Sequence, residues 1–87
     1  MKTQNTFTTT GPDGASVRGF MVLIKAPGQK RVLSLPCSGC ALYTGEQARE
    51  IMENYAKDRP AVQTCAHTET NGVAEQLTLS QMRELYS

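Results

Sequence analysis

All three cysteines and the one histidine of the chain fall in two short clusters, Cys37-Ser38-Gly39-Cys40 and Cys65-Ala66-His67. Two residues between a pair of thiols let both sulfurs converge on one ion, and Gly39 permits the tight turn this needs. In the second cluster, alternation along a strand sends Cys65 and His67 to the same face. Three thiolates and one imidazole are the donor set of a closed tetrahedral structural zinc site. Cys37, Cys40, Cys65 and His67 are therefore the candidate metal ligands. A C-x-H second half is a less usual pattern than a repeated C-x2-C. The competing reading makes Cys65 a small buried apolar residue, His67 a solvated strand residue, and Cys37 and Cys40 loop thiols. A thiol oxidoreductase is a third use of the same atoms. It asks for a cysteine at a helix N-terminus, where the dipole lowers its pKa, yet the helix-start signal comes only later, at Thr44.

Four cations form the other candidate site. Lys25, Lys30 and Arg31 flank a hairpin tip at residues 26–29, and Arg18 is expected on the strand that precedes it. Such a tip reaches phosphates or an acidic protein surface. No interleaved aromatics accompany it, so stacking on bases is not encoded. A charged edge that discourages sheet-to-sheet aggregation uses the same residues. The chain has no P-loop, no G-x-G-x-x-G and no G-x-S-x-G. A Cys–His nucleophile pair needs His67 to meet a thiol, and Glu69, two positions along the same strand, is expected to orient the imidazole poorly. The expectation is a protein that is not an enzyme.

The elements that must position these groups are readable from spacing. Residues 3–10 are Thr-rich around Phe7 and are either an edge strand or, over residues 1–5 at least, a frayed start. Gly11-Pro12-Asp13-Gly14 is turn chemistry. Residues 17–25, rich in β-branched and aromatic side chains, predict a central strand with two apolar faces. Residues 31–35 return from the hairpin and Pro36 ends them. Thr44 and Gln47 have capping-box spacing. Ala48, Ile51, Met52 and Tyr55 then form one helical stripe, which Pro60 stops. Residues 61–68 predict a strand, Asn71-Gly72 a hairpin turn and residues 73–77 its return. Thr78 and Gln81 repeat the capping box before a short helix carrying Leu79, Met82 and Tyr86. The order β-β-β-α-β-β-α predicts a small α+β domain, its main helix packed on a mostly antiparallel sheet.

Eighty-seven residues make one domain, residues 1–87. With 39% apolar residues, five aromatics (three Tyr and two Phe) and no Trp, one modest core is expected but no deep cofactor cavity. The net charge of +1 excludes a wholly polybasic or wholly acidic protein, though the charges are split. Residues 1–43 carry five basic side chains against Asp13 alone; residues 44–87 carry four against seven acidic ones. One basic and one acidic surface are the expectation. No stretch approaches the roughly 18 apolar residues that span a bilayer, and Lys2 is followed by polar threonines rather than an apolar leader core. An odd number of cysteines fits a reducing compartment, so a cytoplasmic protein without a membrane partner is expected.

In size, low aromatic content and lack of a catalytic set, the chain is similar in kind to small accessory proteins of phages and plasmids, the anti-CRISPR inhibitors of bacterial defence among them. The similarity is of kind and touches no particular residue. It implies a non-catalytic binding protein that occupies the surface of a host protein or ribonucleoprotein complex; the split charge of the sequence makes Arg18, Lys25, Lys30 and Arg31 the expected contact. The alternative is a zinc-stapled nucleic-acid-binding or adaptor module.

Overall fold

The computed structural model describes residues 6–37, 39–59 and 61–86. In chain order it forms β1 (Thr8–Thr10), β2 (Ser16–Arg18), β3 (Met21–Lys25), β4 (Leu33–Leu35), α1 (Gly45–Asp58), β5 (Gln63–Thr70), β6 (Val73–Leu77) and α2 (Leu79–Leu85). Both helices start where the spacing predicts. The Thr44 Oγ accepts from the Gln47 N–H at 3.2 Å, and the Gln47 side-chain oxygen accepts from the Thr44 N–H at 3.0 Å. Thr78 and Gln81 make the same reciprocal pair at 3.3 and 2.8 Å. Each box satisfies two backbone donors that a helix start otherwise leaves open. At its other end α1 closes with the Arg59 N–H donating to the Tyr55 carbonyl at 2.8 Å. The proline expected to stop it, Pro60, lies outside the described residues, as do residues 1–5 of the expected frayed start.

Residues 17–25, expected as one strand, are two. β2 pairs with β1 in a separate hairpin, with Thr8 opposite Arg18, while β3 enters the main sheet. The break falls at Gly19, where a Cβ would sit 2.9 Å from the Leu42 Cβ and 3.1 Å from the Thr8 carbonyl carbon. Only a residue without a side chain lets β1 and the 42–43 segment approach the chain so closely, and the strand is interrupted to allow it.

The main sheet has the order β4-β3-β5-β6, every neighbour antiparallel. Leu35, Val22, Ala66 and Leu77 form one row across it and face the helices. Alternation then puts Ser34, Leu23 and Cys65, and beside them Met21, His67 and Gln76, on the opposite face. The core lies between helices and sheet: Phe20, Val22, Ile24, Ala66 and Leu77 from below, and Ala48, Met52 and Met82 from above. Thr68 is buried among them and is satisfied by donating its hydroxyl to the Gly19 carbonyl at 2.8 Å. Tyr86, just past α2, meets Phe20 edge-on at 5.7 Å and lies against Gly45, the first residue of α1. The fold is a two-layer α+β domain, and among the described residues no helix is long and apolar enough to cross a membrane.

Candidate functional site

Each half of the candidate metal set forms locally. The Cys40 N–H donates to the Cys37 carbonyl at 3.1 Å, with Gly39 at φ +88°, so the backbone turns tightly between the two cysteines. A hydrogen bond between the two thiols, then slight desolvation and the charge of its neighbour, push exposed Cys40 above the ordinary thiol range. α1 begins at Gly45, past both cysteines, so no helix N-terminus opposes that rise. A raised pKa is the reverse of what a redox nucleophile needs. Cys65 is half-buried on β5, and burial pushes its thiol up as well.

His67 shares the face of Cys65, as alternation predicts. It is only partly exposed, however. The ring meets Phe7 edge-on at 5.6 Å, its Nε2 lies 3.3 Å from the Glu69 carboxylate, and its Nδ1 is buried without a partner among the described residues. The expectation that Glu69 orients this imidazole poorly is thus corrected. Same-face neighbours on a strand stand about 6.6 Å apart along the backbone, and a glutamate is long enough to bridge that gap. Cys37 and Cys40 follow the end of β4, and Cys65 and His67 lie on β5, with β3 between the two strands. Among the described residues no group of three or more His, Cys, Asp or Glu is gathered.

The basic residues regroup more informatively. Lys25 ends β3 opposite Gln63, and Lys30 and Arg31 follow in the connection to β4; all three are exposed. Arg18 belongs elsewhere. It lies 4.0 Å from Glu75, whose strand position is opposite Thr68, five residues or roughly 17 Å along β5 from Gln63. Into its place come Lys57 and Arg59, because α1 must return its C-terminal end to the start of β5, beside Lys25. The sequence carried one signal of this: a segment that pairs with the strand before the hairpin brings the end of the preceding helix with it. Lys57 also sits in the last turn of α1, where a cation complements the helix dipole. The acidic residues Glu46, Glu50 and Glu53 occupy the earlier turns, and Glu53 is held by Arg83 at 2.7 Å and Arg49 at 2.9 Å.

Between α1 and the β3–β4 hairpin runs an open groove of about 430 Å³. Ile24, Ala26, Val32, Leu33 and Val62 supply apolar walls, with Tyr55 beside them and Arg31 and Arg59 at the polar positions. Val32 is 49% and Leu33 53% exposed, an unusual placement for two adjacent aliphatic side chains on a small domain. The Arg59 guanidinium stacks over Tyr55 at 5.3 Å, a contact whose i,i+4 spacing was already visible in the helix. The chain matches no protein-family model, no curated protein and no solved structure.

Proposed function

We propose that this chain is a non-catalytic protein-binding domain that engages a partner macromolecule with its basic end. Lys25, Lys30, Arg31, Lys57 and Arg59 make up that end, without Arg18. The observation that carries the reading is that Arg31 and Arg59, from segments some thirty residues apart, meet in a groove with an apolar wall, with exposed Lys25, Lys30 and Lys57 on the same segments. Cations at a rim speed encounter and set orientation, while apolar contacts supply affinity. Occupation of a host protein or ribonucleoprotein surface, as by a small phage or plasmid inhibitor, is the biological role this surface suits. The test is cross-linking capture from host lysate, followed by titration of the purified partner. Lys25→Glu/Lys30→Glu should weaken binding by about ten-fold or more, roughly 1.4 kcal/mol, with the melting temperature unchanged. Unaltered affinity refutes the basic end as the contact.

A zinc-stapled nucleic-acid-binding or adaptor module is the second reading, favoured by the paired thiols of Cys37 and Cys40 and the shared face of Cys65 and His67. It predicts one zinc per chain by elemental analysis, a melting point lowered by chelator, and DNA or RNA affinity that falls steeply with salt. A metal-free protein with an unmoved melt, and no retardation of nucleic acid at low salt, rules it out.

A further inference from the structure

The groove has a chemistry of its own, beyond the charge around it. Its wall is aliphatic, with Val32 and Leu33 open to water, and its polar lining is Gln29 and two guanidinium ions, of which Arg59 is stacked on Tyr55. A guanidinium presents a planar fork of donors that matches a carboxylate. β4, which contributes Leu33 to the wall, is also the outer strand of the sheet, and no strand pairs with its far edge among the described residues. An extended segment laid along such an edge alternates its side chains, so every second one turns toward the groove.

We infer that the groove between α1 and β4 takes an extended acidic segment of a partner protein. An apolar side chain of that segment sits on Ile24, Val32, Leu33 and Val62, and flanking carboxylates pair with Arg31 and Arg59. This rests on the reading of the basic end as a protein contact and names the partner's chemistry. Nucleic acid fits the same place less well. Phosphates gain nothing from an aliphatic wall, and the one aromatic face there, Tyr55, is already covered by Arg59 and is not free to stack on a base. Basic segments are repelled, since Asp58 is the lone acidic neighbour of Lys57 and Arg59 in the chain segment that ends α1.

The test uses the full chain and synthetic peptides of about twelve residues. One carries two leucines spaced among glutamates and serines; in the second, serine replaces each leucine; in the third, lysine replaces each glutamate. Binding is followed by calorimetry, and the site by amide and methyl NMR shifts. The leucine–glutamate peptide should shift Ile24, Val32, Leu33 and Val62. The leucine-free peptide should bind at least about ten-fold more weakly, the loss expected for one buried aliphatic side chain. The lysine peptide should not bind. Arg31→Glu and Arg59→Glu, both at exposed positions, should each weaken the first peptide by about three- to ten-fold.

Equal binding of the leucine-free peptide, or shifts that lie outside the groove, overturns the inference. So does an oligothymidylate of matched charge that binds as tightly at about 150 mM salt with the same shifts. Lys25 and Lys30 do not line this groove, so the two proposals fail separately. Partner binding lost in Lys25→Glu/Lys30→Glu, with leucine-independent peptide binding, refutes the groove and leaves the basic end standing. Leucine-dependent binding at the groove, with a partner indifferent to Lys25 and Lys30, supports the groove and refutes the wider surface.

Discussion

Replacing Gly45 with alanine tests whether the packing between the two helices is as tight as the structure shows. A Cβ at position 45 would fall 2.2 to 2.5 Å from three carbons of the Tyr86 ring, far inside van der Waals contact. Either α1 shifts, at an overpacking cost of about 1–3 kcal/mol, or Tyr86 swings out. The second route gives up the edge contact with Phe20, about 0.5–1.5 kcal/mol, and the buried part of the ring. At about 100 Å² that burial adds roughly 2.5 kcal/mol. The swing of Tyr86 comes to about 3–4 kcal/mol, so the helix shift is the cheaper route, at about 1–3 kcal/mol and centred near 2. Alanine returns at most about 1 kcal/mol through its better helix propensity. The net expectation is destabilisation by about 1–2 kcal/mol, read as a fall in melting temperature of roughly 4–16 °C for a domain of this size. In a Tyr86→Ala background the obstacle is gone, and Gly45→Ala should be neutral or stabilising by up to about 1 kcal/mol. The assay is a double-mutant cycle by urea denaturation. A Gly45→Ala effect of the same sign and size in both backgrounds refutes the reasoning, as does a neutral substitution in the wild-type chain.

Thr68→Val keeps the shape of a fully buried side chain but removes the donor to the Gly19 carbonyl, so it should cost about 1–2 kcal/mol in urea unfolding; an unchanged midpoint contradicts that role. The hydrogen bond from Arg83, and after it that from Arg49, holds the Glu53 carboxyl below its ordinary value of 4.5. Its folded pKa is depressed, so this contribution is fully present above pH 4.5 and is lost as the pH falls through the folded value. The stability gap between wild type and Glu53→Gln should shrink from pH 7 to about pH 3, and a gap independent of pH shows that the Arg83–Glu53–Arg49 chain does not contribute through charge. Cys65, half-buried and with its thiol pushed up by burial, should be alkylated last of the three cysteines in a mass-spectrometric time course. Labelling of Cys65 as fast as exposed Cys37 contradicts the packing of β5.

The elements that depend on neighbours in sequence were legible, and those that depend on neighbours in space were not. Thr44 with Gln47, and Thr78 with Gln81, announce their helices because a capping box is complete within four residues. Asn71 and Gly72 announce their turn because both must take positive φ, and they do so at +53° and +82°. The break at Gly19 depends on Leu42 and Thr8, more than ten residues away on either side, and its one local mark is the glycine itself, which signals a bulge or a close approach without saying of what. The same limit explains the site. Lys25, Lys30 and Arg31 are close in sequence and share the β3–β4 hairpin, whereas Arg18 follows the β1–β2 hairpin to Glu75. Arg59 joins Arg31 only because α1 crosses back over the sheet. The face shared by Cys65 and His67 follows from strand parity alone, but the reach of Glu69 and the cover of Phe7 required the folded chain.

The pairing of β3 with β5 sets the order in which this protein can fold. β3 sits inside the sheet between β4 and β5, and its register, Met21 opposite His67 and Lys25 opposite Gln63, joins residues about forty positions apart. The adjacent hairpin partner β4 offers only three residues, so β3 has its full complement of backbone hydrogen bonds only after β5 has been made. On the ribosome, at about 5–20 residues per second, the Met-Val-Leu-Ile segment waits roughly 2–8 seconds for that partner. Throughout the interval it is a short apolar strand with an open edge, the kind of segment that seeds association between nascent chains. Chains truncated anywhere before β5 should therefore aggregate rather than persist as folded N-terminal fragments.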